Sequence, residues 1–588
     1  MKKNYLVISF SISCLFMALP IVQAQELGAT FCWHSKEIYG GHDYPFNQSI
    51  AKKGLPNDNT HWSVNTEWWE NMVEEIDYSG IDFVALLSRG NQPNAPDRGN
   101  GNPKHISKLV NAMNARGVNS FKLAIFDDCP NSWTGSMNWD NSNGTSYSTE
   151  NPKFDCGNTA NYKYIWDYNL KQAIANIPDE RRYKINGRMV IIFWSVKSTW
   201  MTNMGNGNLK KILEHIRTQC QATYGFNPYL IITRNWFDVD SQCNSVGVAD
   251  AVHNWFSSAG NTSYTNYTWN GITTGVVTPG FGHPADPPFI DPLGGQTLIK
   301  GLDGTVKSGA SLTLCEGFTD AAESAAYWRS EDATYYKYPN QRLNILRRYT
   351  KNPYPDNLKI EVEACDFFSD LTTGNSGGAF RDGDIDILKS DDTNGGWQVT
   401  NTQANEWMEW KEFPLLANTD LMLRYTSKES ASVQFSVDGT TLPKIDLPGT
   451  NGEWSTVNAG NTGFPSNSLH TIRLTIITGS PEINYFTIKS SSTTGIETGF
   501  NQAGKSGFEI YPNPARSAAI LYFKSVHAGS ISFDIYNANG VCIKSLKRNV
   551  SDNGQQQIDI SVRDFKPGVY LVRYLAGSFA QTQKLMVH

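Results

Sequence analysis

Three acids fall close together at Glu316, Asp320 and Glu323, directly after the apolar run Leu312-Thr-Leu-Cys315. A carboxylate delivered by a buried strand is costly unless it is partnered or used. Two carboxyl groups flanking a bond suit glycosidic hydrolysis: one is protonated, and the other activates water or attacks directly. Glu316 is the leading candidate for such chemistry, with Asp320, Glu323 and Asp128 as candidate partners. Each also has a structural alternative. Acids favour the first turn of a helix, which would explain Asp320 and Glu323. Asp128, in Asp127-Asp128-Cys-Pro130, could open a turn, and Glu316 could pair with a cation such as Arg329.

Positioning these groups requires strands. Strand-like runs recur at 28–34, 82–88, 121–128, 189–195, 229–236, 251–256, 274–282 and 312–319. Helical spacing of apolar residues marks 67–78, 106–116, 162–177, 209–222 and 321–349. Continuous apolar strands alternating with helices predict a parallel sheet, and eight of them over residues 25–352 predict a (β/α)8 barrel. A doubly wound open sheet is the alternative, but no Gly-rich nucleotide loop follows the first strand. In a barrel the strand ends share one face. That face would gather His34, Arg89, Asp127, Asp128, Trp194, Asn235, Trp236, Trp255, His283 and Glu316. Aromatic faces stack on sugar C–H groups while carboxylates and amides fix hydroxyls. His34, Asp127, Trp194, Asn235, Trp236, Trp255 and His283 are accordingly candidate substrate contacts. The tryptophans could equally be rim packing, and a lone histidine often satisfies only a local hydrogen bond.

A net charge of −6 provides no basic footprint for nucleic acid. Residues 1–24 have the form of a secretory signal, with Lys2 and Lys3 before an apolar run and Val22-Gln-Ala24 at its end. No later stretch approaches the ~18 apolar residues of a membrane helix. The sequence thus predicts an exported chain with no transmembrane segment after the signal. Export permits disulfides, and Cys129–Cys156 and Cys220–Cys243 flank loop-like segments that such bridges could close. No CxxC or HExxH motif supports a zinc site, and no cofactor is expected for catalysis.

The motifs Trp33-His34, Trp68-Trp69, Gly80-Ile-Asp82-Phe, Lys122-Leu-Ala-Ile-Phe-Asp127 and Gly187-Arg-Met-Val-Ile-Ile-Phe-Trp194 resemble barrel glycosidases of the endo-α-mannosidase and α-1,3-glucanase kind. They are more similar still to an uncharacterised family of glycoside-hydrolase-like exported bacterial proteins. In the mannosidase-like families the last strand ends in Asn-Glu-Trp with a second acid soon after. Here Cys315-Glu316-Gly317 stands in that place and Asp320 follows, without the Asn or the Trp.

Residues 358–491 show short alternating strands and resemble a family 6 carbohydrate-binding module, a β-sandwich. The resemblance rests on Ile360-Glu-Val-Glu363, Glu406-Trp-Met-Glu-Trp410, Val437-Asp-Gly439, 447–454 and Ile483-Asn-Tyr-Phe486. It implies that Trp397, Trp454 and Asn484 hold a sugar and that Glu361 and Glu363 hold a structural calcium. Trp407 and Trp410 lie on opposite faces of one strand, so at least one belongs to the core. A polar linker, 492–507, precedes 508–588. There Ile510-Tyr-Pro-Asn-Pro514, Asn539-Gly540 and Pro567-Gly-Val-Tyr570 resemble the sorting domain of type IX secretion cargo, a small Ig-like sandwich. The expectation is an exported or surface-held glycoside hydrolase acting on a polysaccharide or glycan, with the type IX secretion machinery as its export partner. The alternative is a non-catalytic surface carbohydrate-binding protein or adhesin.

Overall fold

The computed structural model describes residues 25–490 apart from 34–48, 50–65, 98–100, 146–151, 284–285, 322, 416–418 and 463–467. It also describes 508–587 apart from 512–514, 517, 525–528, 539, 551–554 and 577–578. The signal-like residues 1–24 and His34 lie outside the described residues. The chain forms two compact units, Met1–Ser490 and Ser491–His588. No described helix is long and apolar enough to cross a membrane.

All eight expected strands are present, most of them shorter than their apolar runs. They are β1 (Glu26–Phe31), β2 (Phe83–Ser88), β3 (Lys122–Asp127), β4 (Arg188–Phe193), β5 (Tyr229–Thr233), β6 (Ala251–His253), β7 (Ile272–Val277) and β8 (Leu312–Cys315). The parallel ladder runs β7-β8-β1-β2-β3-β4-β5-β6. Between β6 and β7 it does not close. The free edge of β7 is taken by an antiparallel strand, Tyr264–Trp269. Two side chains bridge the seam instead: Thr274 Oγ1 donates to Val252 O, and Thr265 donates to Asn254 O. The result is a nearly closed mixed sheet rather than a fully closed barrel.

Period-two alternation divides its side chains. Phe83, Ala85, Ala124, Phe126, Val190, Ile192, Ile231, Leu312 and Leu314 fill the inside. Val84, Leu86, Leu123, Ile125, Ile191, Phe193, Leu230 and Ile232 face the helices. Gly28 is required inside, because a Cβ there would lie 2.3 Å from the Phe83 ring. Outside pack α1 (Thr66–Ser79), α2 (Ile106–Ala115), α3 (Asn131–Asn141), α4 (Asn208–Tyr224), α5 (Gln296–Gly304) and α6 (Gln341–Arg348). The expected helix over 321–349 is present only as α6. Ala325, Ala326, Tyr327 and Trp328 before it are buried consecutively, which one face of a helix cannot achieve. The segment instead hangs on single contacts, such as Arg329 N donating to Glu75 Oε2 at 2.9 Å.

The second part of this unit is a sandwich of two antiparallel six-stranded sheets, with Leu358–Glu361 pairing on Glu482–Ser490 in one of them. Trp410 is core and Trp407 lies on the other face under Arg473, as their spacing requires. The sandwich shares one hydrophobic core with the first domain. A buried polar network also joins them, Arg329 to Glu74 and Asn340 and Asn340 to Asp366, and the buried Arg381 reaches the exposed Glu331. The 491–588 unit contains a three-stranded and a four-stranded antiparallel sheet over its own core.

Cys129, Cys156, Cys220 and Cys243 are free thiols, which overturns both expected bridges. Cys129 donates to Trp194 O at 3.2 Å, and Cys129, Cys156, Cys220 and Cys243 are packed inside as small apolar groups.

Glu75 supplies a stability test. It is fully buried, and burial raises its carboxyl from 4.5 to about 7 against the pull of Arg329. A folded-state value above the unfolded one gives stability that is full below pH 4.5 and lost as pH rises to about 7, a loss on the order of 3 kcal/mol. Urea titrations of Glu75→Gln between pH 4.5 and 8 should show a shallower decline than wild type. Equal slopes would contradict the assignment.

Candidate functional site

Glu316 leaves the end of β8 on the inner side, where its amide extends the ladder by donating to Val277 O at 2.8 Å. Gly317 then turns the chain with φ +68°; a Cβ there would lie 2.8 Å from that of Asp320 and 3.0 Å from that of Ala325. That turn returns two more acids to the same place. One oxygen from each of Glu316, Asp320 and Glu323 lies within 4.8 Å of the others. Asp320 Oδ1 accepts from Glu323 N at 3.1 Å, and Gly282 N donates to Glu323 O at 2.7 Å. The loop that presents Glu323 is therefore fixed from both sides.

Glu316 is half-buried, and its Oε2 is sealed from solvent without a hydrogen-bond partner among the described residues. Burial drives its carboxyl well above the usual carboxylate range, the charges of Glu323 and Asp128 add to this, and a bond from Thr30 opposes it. A protonated carboxylic acid beside ionisable carboxylates is the arrangement of a proton donor. Among the described residues no basic side chain pairs with Glu316: Arg329, the proposed structural partner, is committed to Glu74 and Asn340.

Asp127 and Asp128 separate by alternation. Asp127 is on the outer face, fully buried, and accepts from Ser132 Oγ and from Trp133 Nε1 at 3.1 Å. Burial lifts it to about 7. It ties β3 to α3 and cannot meet a substrate, which corrects its assignment. Asp128 comes off on the inner side, taking Arg89 Nε at 2.6 Å and Asn131 Nδ2 at 3.2 Å.

Trp194 and Trp255 are partly exposed above the inner core, with Lys197 over the first ring at 4.2 Å and Phe126 5.7 Å from the second. Trp236 is fully buried against Trp133 and Phe193 and donates to Trp194 O, so it is packing rather than a sugar platform. The strand expected to carry it stops at Thr233, and a short helix, Asn235–Val239, turns the ring inward. Asn235 Nδ2 holds Val196 O at 2.8 Å. His283 ends the short strand Phe281–His283. His253 is a buried residue the sequence did not single out. It lies 5.5 Å from Trp255, its Nε2 contacts Phe193 O at 3.0 Å, and burial lowers it to about 4, so the imidazole is neutral. Only its place at the end of a three-residue strand could have flagged it.

In the sandwich a groove of about 770 Å³ is lined by residues including Asp391, Gln398, Asn401, Thr426 and Glu482. Trp454, half-buried, adjoins it by donating from Nε1 to Asp391 at 2.7 Å, with Arg424 6.0 Å from its ring. Trp397 is 3 % exposed, lies beneath Arg116 and packs on Phe380, so the expectation of an open platform fails there. Its neighbour Gln398 faces the groove, and alternation sends Trp397 the other way. Asn484 is fully buried and donates to Asp392 Oδ2 at 3.1 Å, which in turn holds Arg424. It therefore anchors the Asp392–Arg424 pair beside Trp454 rather than facing the groove.

Residues 23–367 match the family model described as Domain of unknown function (DUF5010), more than half of the chain. The chain belongs to the DUF5010 family. Beyond the DUF5010 segment, 381–488 match a carbohydrate binding module of family 35. Residues 509–588 match the secretion system C-terminal sorting domain. This DUF5010 chain is thus a secreted or cell-surface protein that carries a carbohydrate-binding module. No curated protein matches it. Solved structures similar to the module include the family 6 module of a marine laminarinase from Zobellia galactanivorans, at 21% identity and TM-score 0.19, covering 23% of this chain and 99% of that one. A family 6 module of a Cellvibrio mixtus lichenase, in complex with cellotriose, matches at 19% identity and TM-score 0.20, over 23% and 99%. A family 36 module in complex with calcium and xylotriose matches at 12% and 0.17, over 22% and 98%.

Proposed function

We propose that this DUF5010 protein is an exported glycoside hydrolase whose first domain is a (β/α)8 barrel opened at the β6–β7 seam. The observation that carries the proposal is the sealed, partnerless Oε2 of Glu316 beside two further carboxylates at a strand end. Glu316 protonates the leaving oxygen, Glu323 attacks the anomeric carbon, and Asp320 positions Glu323 through its amide. Asp128, held by Arg89, adds negative charge that keeps Glu316 protonated. Trp194 and Trp255 offer faces for the sugar rings. The module holds the same glycan in the groove beside Trp454.

Carboxyl oxygens within 4.8 Å match the ~5–5.5 Å spacing of retaining enzymes better than the ~6.5–9.5 Å of inverting ones. Proton NMR of the first-formed sugar should show the anomer of the substrate. The opposite anomer would remove Glu323 as nucleophile and leave a water-activating base in its place.

Polysaccharide pull-down tests the module separately. Trp454→Ala should weaken retention about three- to tenfold, the value of one aromatic stacking contact. Unchanged retention would place the sugar away from this groove.

A further inference from the structure

Glu363 is fully buried, and neither of its carboxyl oxygens has a hydrogen-bond partner among the described residues. Two residues earlier, at the end of the strand Leu358–Glu361, Glu361 is 3 % exposed and its Oε2 is likewise without a partner among the described residues. Its Oε1 is well supplied, by Lys359 Nζ at 2.5 Å and Arg116 Nη2 at 3.1 Å. A buried carboxylate with nothing to bond costs several kcal/mol unless it takes a proton or a cation. The nearby cations do not serve Glu363. Arg116 and Lys359 contact Glu361, and Arg329 contacts Glu74. Three partnerless oxygens from two carboxylates are the hard ligands a calcium-like ion takes, with backbone carbonyls or water completing the shell. The residues present therefore fit the calcium that the module's resemblance implies.

The surroundings of that pair go further than a module's own stability. Arg116 belongs to the first domain, directly after α2. It crosses into the sandwich, where Gly396 leaves room for it: a Cβ there would lie 2.2 Å from the guanidinium. It lies over Trp397, donates to Asn394 O at 3.3 Å, and bridges Glu361 Oε1 to Glu74 Oε2, each at 3.1 Å. Glu361 is thus shared. One oxygen is free for a cation, and the other holds the first domain's guanidinium.

We infer that a divalent cation held by Glu361 and Glu363 is coupled, through the second oxygen of Glu361 and Arg116, to the docking of the first domain on the module. A cation that fixes the Glu361 carboxyl fixes the acceptor of Arg116, and by linkage the docked Arg116 pre-orients a ligand of the cation. The coupling does not depend on whether the first domain hydrolyses anything.

Hydrogen exchange on the full chain, with calcium at a hundred times its Kd or with a chelator, tests this. Calcium should slow exchange about tenfold or more at 359–364 and also across 106–117 in the first domain. In Arg116→Met the response at 359–364 should persist while that at 106–117 disappears. Glu363→Gln should abolish both. Slowing confined to the module in the wild type, or an undiminished response at 106–117 in Arg116→Met, would overturn the coupling. No calcium effect in the wild type, or the same effect in Glu363→Gln, would overturn the site.

Discussion

Trp397→Ala is expected to lower the stability of the 1–490 unit by about 3–5 kcal/mol while leaving glycan retention nearly intact, the reverse of Trp454→Ala. The ring is 3 % exposed, packed on Phe380 at 5.4 Å and covered by Arg116 at 5.8 Å. Removing it opens a cavity at a domain junction, where the guanidinium loses the face it rests on and neighbouring backbone cannot collapse to fill the space. Thermal or urea unfolding followed by pull-down at a permissive temperature separates the two effects. A stable Trp397→Ala protein that no longer binds glycan would mean that this ring, not Trp454, meets the sugar.

Glu316→Gln is expected to lower kcat by about 10²- to 10⁴-fold, the contribution of a positioned general acid, with the fold unchanged. Glutamine keeps the volume and the oxygen that Thr30 bonds, but it has no proton to give. The wild-type rate should also fall as pH rises through the elevated value of Glu316, because only the protonated form donates. With substrates whose leaving group needs no proton, the variant should recover activity and lose that alkaline limb. Persistence of the limb in Glu316→Gln would assign it to another group.

Much of the first domain was legible because buried parallel strands are written as unbroken apolar runs, and all eight were found. Where they stop was less legible. The run to Trp236 read as one strand, yet the chain bends into a helix after Thr233 and buries the ring. The pair at 127 and 128 obeys a period of two that sorts one acid outward and one inward, although both stand at a strand end. Glu316, Asp320 and Glu323 were legible as a group because a glycine turn keeps them local. Arg116 was not, since its partners Glu74, Glu361 and Asn394 meet only when two domains dock. The seam between β6 and β7 was equally hidden, because β6 has three residues and an inserted strand takes its neighbour's edge.

The central claim is that the carboxylates at the end of β8 cleave glycosidic bonds. The direct measurement is the release of new reducing ends from a panel of α- and β-linked glycans, by wild type and by Glu316→Gln side by side. The account predicts release from at least one glycan by wild type and almost none by the variant. Equal release by the two proteins, or none by wild type from any glycan that its module retains, would contradict it.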